Sequence, residues 1–150
     1  MVDIKDKLNY DPLTGVFTWK VRVNSKVPAG TVAGSPHNKG YLVIRYNKKP
    51  YLAHRLAFWW MNGYWPFEVD HRNRVKTDNR ILNLRESTRS ANNLNKPSKN
   101  LKLHKPSGLW NVVVQCGEMR HSSYYKDREL AELVAAEVKD VFLRRAYGGY

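Results

Sequence analysis

The chain has 150 residues, of which 26 are lysine or arginine and 13 are aspartate or glutamate, so its formal charge is +13 at pH 7. This length suffices for one ordinary domain or two very small ones, and the charge favours a polyanionic partner over a merely basic protein without one. The single cysteine, Cys116, excludes an intramolecular disulfide or a multi-cysteine zinc site, and no apolar run approaches the ~20 residues that cross a bilayer.

The N-terminal third predicts two β-hairpins. Residues 8–20 place a turn at Asp11-Pro12 and Thr14-Gly15 before an alternating run, which is typical of a hairpin. Residues 23–40 are rich in Gly, Pro, Ser and Asn, so we expect a loop or short irregular strands. Residues 41–51 predict the second hairpin around the turn at 47–49. The N-terminus lacks the apolar core of a signal peptide, so we expect a cytoplasmic protein with no membrane partner.

Residues 52–62 predict an amphipathic helix that ends at Gly63. Its apolar stripe is expected to contain Leu52, Leu56, Trp59 and Trp60. His54 lies in this helix, where a histidine is more often a packed, hydrogen-bonded residue than a ligand or a second catalytic group.

Residues 69–95 contain more polar side chains than a core segment of that length requires. Asp70 and His71 follow an apolar lead-in, and a turn-prone polar loop separates them from the short run 81–84. Thr88 is a good N-cap for a following helix that carries Asn92. The order strand, long loop, strand, helix is therefore predicted, and an active site is expected here.

This order of residues resembles the HNH nuclease family in its ββα-metal form. The motif consists of Asp70-His71, Asp78-Asn79-Arg80, Asn83-Leu84-Arg85, and Thr88 with Asn92. The resemblance implies that His71 is the general base, that Asp70 and Asn92 hold one divalent metal, and that Asn83 braces the loop. The third motif letter is Asn rather than His, a variant of the family's phage and homing branch, which implies a phage-encoded protein acting in a bacterial host cell.

The chemistry of these side chains agrees with that implication. A neutral imidazole titrates near the working pH and can accept a proton from water, as a general base must. Asp70 and Asn92 offer hard oxygen ligands, which Mg²⁺ or Mn²⁺ prefers. The structural alternative for Asp70-His71 is a turn residue beside a histidine that caps a hydrogen-bond network.

Seven basic residues around the motif are candidates for clamping DNA phosphates, with a solvated charged face as the alternative. They are Arg55, Arg72, Arg74, Lys76, Arg80, Arg85 and Arg89.

The C-terminal third predicts a small module. Residues 98–107 are polar and basic and are interpreted as a linker, on a charged surface or as an ordinary exposed loop. Residues 109–115 and 119–125 predict a hairpin. Asp127 caps a helix whose apolar face is expected to contain Leu130, Val134, Val138, Val141 and Phe142.

This module resembles a shortened form of the plant ethylene-response-factor type of DNA-binding domain. The resemblance lies in Gly108, Trp110, Tyr124-Tyr125 and an Ala-rich helix, and one N-terminal strand of that family's three-stranded sheet is expected to be missing. It makes four residues candidates for facing the major groove, with a core position for Trp110 and a solvated edge position for Arg120 as the alternatives. They are Trp110, Gln115, Arg120 and His121.

The expected fold is α+β, with N-terminal β-hairpins and a helix packed on a ββα-metal nuclease core, followed by a small β-hairpin plus helix module. The expected ranges are 1–97 for the HNH nuclease domain, 98–107 for the linker and 108–150 for the module. The expected function is metal-dependent hydrolysis of double-stranded DNA, one strand per active site, by a monomer or homodimer. The alternatives are a non-catalytic DNA-binding regulator that retains the fold and an RNA-binding protein.

Overall fold

The computed structural model describes residues 2–96 and 100–148. In chain order, the elements are α1 (Val2–Lys7), β1 (Leu8–Asp11), β2 (Val16–Trp19), β3 (Val32–Ala33), β4 (Ser35–Pro36), β5 (Leu42–Tyr46), β6 (Lys49–Leu52), α2 (Ala53–Asn62), β7 (Glu68–His71), a 3₁₀ turn (Ile81–Asn83), β8 (Leu84–Ser87), α3 (Arg89–Asn95), β9 (Leu101–His104), β10 (Leu109–Cys116), β11 (Met119–Tyr125) and α4 (Arg128–Ala146).

The chain divides into two compact units, residues 1–86 and 87–150. Each unit has its own apolar core: the first contains Ile4, Leu8, Phe17, Ile44 and Leu56, and the second Val112, Val114, Ala131, Ala135 and Phe142, among others. Small antiparallel sheets and four α-helices in the described ranges confirm the α+β class.

Both predicted N-terminal hairpins are present. Strands β1 and β2 pair antiparallel and β3 extends their sheet, while β4, β5 and β6 form a second sheet. The turn between β5 and β6 places Asn47 and Lys48 at positive φ, as a two-residue type I′ turn requires.

Helix α2 begins at Ala53 and ends where Gly63 adopts φ +80 and donates its backbone N–H to the carbonyl of Trp59. Its buried face is Ala53, His54, Leu56, Ala57 and Phe58. The predicted stripe is therefore partly wrong, because Leu52 is the last residue of β6, and Trp59 and Trp60 are only half-buried at the edge of the core.

The predicted order strand, long loop, strand, helix is confirmed for residues 68–95. Strands β7 and β8 pair as a two-stranded sheet, and the Oγ1 of Thr88 caps α3 by accepting from the N–H of Ala91. The second strand begins later than predicted, because residues 81–83 form the 3₁₀ turn.

The second unit contains a strand that the linker prediction did not include. Strand β9, residues 101–104, lies inside the range 98–107 and pairs antiparallel with β10, which pairs in turn with β11. The predicted linker and the predicted missing strand are both wrong here, because Leu101 and Leu103 alternate with polar residues and supply a third strand. Residues 98 and 99 of the predicted linker, and the predicted boundary at 97, lie outside the described residues.

Helix α4 is capped as predicted, since the side chain of Asp127 accepts from the N–H of Leu130. Its buried residues are Ala131, Ala135 and Phe142, whereas Leu130 and Val141 are exposed. The predicted apolar face is thus rotated by about one residue.

Cys116 is buried in the core beneath this helix, and burial raises the pKa of its thiol. No helix in the described ranges is long and apolar enough to span a membrane.

Gly15 in the β1–β2 turn offers a test of the first unit. It has φ +75, and a Cβ there would lie 2.4 Å from the backbone N of Arg80. We expect Gly15→Ala to lower the free energy of unfolding by about 3 kcal/mol, the sum of left-handed strain and a backbone clash. Urea unfolding followed by tryptophan fluorescence measures this.

The matched control is Gly30→Ala in the same unit, where φ is +84 but nothing lies within 4 Å of the added Cβ. We expect a loss of about 1 kcal/mol from the strain alone. Equal losses in the two variants would contradict the close approach at Gly15.

Candidate active site

Asp70 and His71 close strand β7, and each residue is 5% exposed. Adjacent residues in a regular strand point to opposite faces, so the chain must turn for both to serve one site. Both residues lie within β7, and the chain turns only after them: the N–H of Arg74 donates to the carbonyl of His71 over 3.0 Å, and Arg74 takes φ +64. The candidate site therefore lies at the end of a strand, where a polar loop begins.

His71 is held by the carboxamide of Asn79. Its Nε2 lies 3.3 Å from Oδ1 of Asn79. An amide oxygen only accepts hydrogen bonds, so Nε2 carries the proton and the lone pair of the neutral ring is on Nδ1. Burial lowers the pKa of His71, although the contact with Asn79 and the charge of Asp70 oppose the shift. The ring is thus neutral at pH 7, which is the form that accepts a proton.

Asn83 fixes the loop between β7 and β8 from both ends. Its Oδ1 accepts from the N–H of Asn73 over 3.0 Å, and its Nδ2 donates to the carbonyl of Asp78 over 2.8 Å. The backbone carbonyl of Asn79 accepts from the hydroxyl of Tyr10 over 2.7 Å. These bonds hold the loop that carries Asn79, and with it the partner of His71.

Asp70 forms an ion pair with Arg85 across the β7–β8 sheet. Its Oδ2 accepts from Nη2 of Arg85 over 2.8 Å and from Nε over 3.1 Å. The side chain of Arg85 is 17% exposed, so this is a largely buried pair. A carboxylate in that position needs a nearby positive charge, and Arg85 supplies one.

Two aromatic rings that the motif does not indicate pack around His71. The ring of His54 in α2 lies 5.0 Å from that of His71 and 4.9 Å from that of Tyr41, measured between centroids. His54 is buried, and its Nδ1 has no hydrogen-bond partner among the described residues. The position of His54 on the inward face of α2 is the one sequence signal for its place near His71. The sequence contains no such signal for Tyr41.

Lys76 closes this cluster from the loop side. Its Nζ lies 5.0 Å from the centroid of the Tyr41 ring and donates to the carbonyl of Lys39 over 2.8 Å. A cation over an aromatic face is attracted by the ring quadrupole, so the contact joins the loop to the chain before β5.

The candidate basic residues differ in what they contact. Arg72, Arg74, Lys76 and Arg80 are exposed in the loop, and Arg89 is exposed at the start of α3. Arg80 pairs with Asp78, and this contact lowers the pKa of that carboxyl to about 2. Arg55 donates to the carbonyl of Pro66 over 2.8 Å, so Arg55 and Arg85 bind the protein itself where phosphate contacts were predicted.

Asn92, the third predicted catalytic residue, belongs to the second unit. It lies in α3, is half-buried, and donates its backbone N–H to the carbonyl of Thr88. Asp70, His71 and Asn83 all belong to the first unit.

The four candidates for the major groove do not share a face of the second sheet. Gln115 and Arg120 are cross-strand partners on the exposed face. Trp110 and His121 alternate with them and lie on the face that carries Val112 and Val114. Trp110 is half-buried and packs against the core, which agrees with its core alternative, and its groove contact stays a prediction.

Residues 51–94 match the family model of the HNH endonucleases. The matched segment contains α2, both strands of the β7–β8 sheet and nearly all of α3, and so includes Asp70, His71, Asn83 and Asn92. Comparisons with curated proteins and with solved structures give no match. The match supports the HNH resemblance and does not reach residues 108–150, where the resemblance to the ethylene-response-factor type is without support.

The ion pair of Asp70 and Arg85 gives the second prediction. We expect Arg85→Met to lower the free energy of unfolding by about 3 kcal/mol, because it leaves a buried carboxylate without its guanidinium. Arg45→Met, at an exposed arginine of the same unit, is expected to change it by less than about 0.5 kcal/mol. Urea unfolding followed by circular dichroism measures both, and a loss at Arg85 as small as that at Arg45 would contradict a stabilising pair.

His54 gives the third prediction. Burial first, and then the charges of His71 and Arg55, lower the pKa of His54 to about 3, whereas an unfolded histidine titrates near 6.5. Below pH 6.5 the unfolded chain therefore binds a proton that the folded chain does not. The free energy of unfolding consequently decreases as the pH is lowered. The expected loss between pH 7 and pH 5 is about 2 kcal/mol from this group.

We expect His54→Gln to lose correspondingly less stability over the same interval, measured by urea unfolding at each pH. His37→Gln, at an exposed histidine of the same unit, should keep the pH dependence of the parent. A parent-like pH dependence in His54→Gln would contradict a buried neutral His54.

Proposed function

We propose that this protein is a metal-dependent DNA endonuclease that hydrolyses phosphodiester bonds in double-stranded DNA, one strand per active site. The observation that carries the proposal is the buried imidazole of His71, whose Nε2 lies 3.3 Å from Oδ1 of Asn79, next to Asp70 at the end of β7. These residues lie within the segment that matches the HNH endonuclease family. The Asn at the third motif position favours the phage and homing branch.

His71 is the general base in this proposal. A phosphodiester resists attack because its negative charge repels the nucleophile, so water must lose a proton as it attacks. Nδ1 of His71 has the lone pair for that proton, and Asn79 keeps the ring in the required tautomer. Because His71 is buried, neighbouring side chains have to move for water and a phosphate to reach its ring.

The oxygen atoms that the motif supplies have the chemistry that a divalent cation requires. The HNH resemblance implies that Asp70 and Asn92, which both offer hard oxygen atoms, would hold Mg²⁺ or Mn²⁺. In the described ranges no three His, Cys, Asp or Glu side chains form a metal-ligand group, so the protein offers few ligands and substrate oxygens would complete the set. When bound, such an ion neutralises charge on the phosphate oxygens and on the leaving alkoxide.

The buried carboxylate of Asp70 already attracts positive charge. Arg85 binds its Oδ2 through two N–H groups and orients the carboxylate. Arg85 is therefore a positioning residue for Asp70 in this proposal, and the exposed basic residues of the loop are the phosphate contacts.

The second unit extends the DNA contact. Lys102, Gln115 and Arg120 lie on the exposed face of its three-stranded sheet, where they alternate with the buried residues of the strands. Arginine and glutamine read base edges from β-strands in the major groove, and lysine binds phosphate. This face keeps Gln115 and Arg120 of the four residues that the sequence predicted and adds Lys102.

A non-catalytic DNA-binding regulator is the second candidate, and the low exposure of His71 is the observation that favours it. Such a protein keeps the basic surface and the fold without cutting its target.

A nicking assay on supercoiled plasmid separates the candidates. We expect relaxation that requires Mg²⁺ or Mn²⁺, stops with EDTA, and falls by roughly 10²–10⁴-fold in His71→Ala, because a general base contributes about that much. Binding of His71→Ala to a DNA duplex, measured by gel shift, should match the parent. His37→Ala, at an exposed histidine, is the control for both measurements.

Tight duplex binding without cleavage under either ion would contradict the endonuclease and support the regulator. Preference for single-stranded or structured RNA in the same gel shift would overturn both candidates in favour of an RNA-binding protein.

A further inference from the structure

An open groove of about 650 Å³ lies beside the loop that follows His71. It is lined by Pro12 and Leu13 from the β1–β2 turn and by Arg72, Arg80 and Leu82 from the loop and the 3₁₀ turn. The β1–β2 turn precedes the segment that matches the HNH endonucleases, so this groove combines two parts of the chain.

The two leucines of the groove are exposed to an unusual degree. Leu82 is 83% exposed and Leu13 is 78% exposed. Burying a leucine side chain is worth about 1.5–3 kcal/mol, so leaving two of them in water at one groove forgoes that stabilisation. Exposed apolar side chains that line one groove and are rimmed by polar groups are typical of an interaction surface.

The turn that carries Leu13 is fixed to the segment that carries Leu82. The N–H of Ile81 donates to the carbonyl of Pro12 over 3.2 Å, and the absence of a Cβ at Gly15 lets the turn approach the backbone of Arg80. Within the turn, the carboxylate of Asp11 accepts from the N–H of Leu13 and from the hydroxyl of Thr14. The two leucines are therefore presented by a defined surface rather than by mobile loop ends.

The charges at this groove favour a nucleic acid over a protein as its occupant. Arg72 is exposed directly after His71, and Arg80 reaches the same groove while its guanidinium contacts Asp78. Apolar side chains flanked by arginines are typical of proteins that enter the minor groove, where the apolar group separates base steps and the cations hold phosphates. The chain's formal charge of +13 complements that partner.

We propose that Leu13 and Leu82 form an apolar wedge that enters the minor groove of duplex DNA and unstacks a base step near the phosphate that is cleaved, while Arg72 and Arg80 hold flanking phosphates. The proposal rests on the proposed function for its substrate and adds how that substrate is deformed. Unstacking costs a few kcal/mol per step and is least costly at flexible pyrimidine–purine steps, so the wedge also confers a preference for such sites.

Unwinding of DNA tests the wedge without catalysis. Relaxed closed-circular plasmid is incubated with the full chain in EDTA, treated with a metal-independent topoisomerase, freed of protein and resolved by gel. A wedge that unstacks base steps unwinds the duplex, so we expect the parent to leave negative supercoils in proportion to bound protein. We expect the double variant Leu13→Ser, Leu82→Ser to lose most of this change and to keep its affinity for duplex DNA within about tenfold, because phosphate contacts dominate that affinity.

Val32→Ser is the matched control, because Val32 is a highly exposed apolar residue of the same unit away from the groove. It should unwind the plasmid as the parent does. Serine at the two exposed leucine positions is expected to leave the unfolding midpoint near that of the parent, and each single variant provides a second reading if the double variant is unstable.

Equal unwinding by the parent and the double variant, or binding of DNA by the parent without unwinding, would overturn the wedge. Loss of self-association in the double variant with unchanged unwinding, measured by sedimentation, would assign the leucines to a protein interface instead. Because the assay excludes metal, unwinding in a protein that never nicks DNA supports the wedge and overturns only the endonuclease. Nicking by a protein that does not unwind overturns only the wedge.

Discussion

The side chain of Asn83 is the constraint on which the candidate site depends. One carboxamide joins the start and the end of the loop between β7 and β8 through bonds to Asn73 and Asp78. A polar loop of this length has little apolar surface to bury, so without such bonds its backbone would exchange among many conformations. Since Asn79 lies in this loop, the orientation of the His71 imidazole follows from the same bonds.

The residues that surround the candidate site come from parts of the chain that contain no predicted catalytic residue. Tyr10 in β1 bonds the carbonyl of Asn79, Gly15 lets the neighbouring turn approach, and His54 in α2 packs against the ring of His71. The N-terminal sheets and α2 are thus the supporting shell of the site. Such support matters for catalysis because small displacements of a general base or a substrate reduce the rate strongly.

Local sequence patterns predict the turns and helix starts of this protein, because these features depend on residues that are close together in the chain. Turn residues fix both N-terminal hairpins, and Thr88 and Asp127 cap the helices predicted to follow them. The polar segment 69–95 likewise predicts the order strand, loop, strand, helix that the structure contains.

The features that the sequence did not predict depend on contacts between distant segments. The burial of Asp70 against Arg85 and the packing of Tyr41 and His54 on His71 join residues that are far apart in the chain, and no local periodicity encodes such contacts. Strand β9 was hidden for a different reason: its lysine and histidine made it resemble a linker, while its place in the sheet depends on pairing with β10. The buried face of α4 differs from the predicted one because Ala131 and Ala135 are buried with Phe142, whereas larger apolar residues such as Leu130 are exposed.

The lone thiol of Cys116 provides a means of observing the second unit by itself. It is buried beneath α4, and its raised pKa leaves little of the reactive thiolate at neutral pH. A thiol reagent can therefore react only when this sheet and helix separate. Its labelling rate under native conditions measures how frequently that local opening occurs. A slower labelling rate in the presence of DNA would show that DNA binding stabilises the C-terminal unit against this opening.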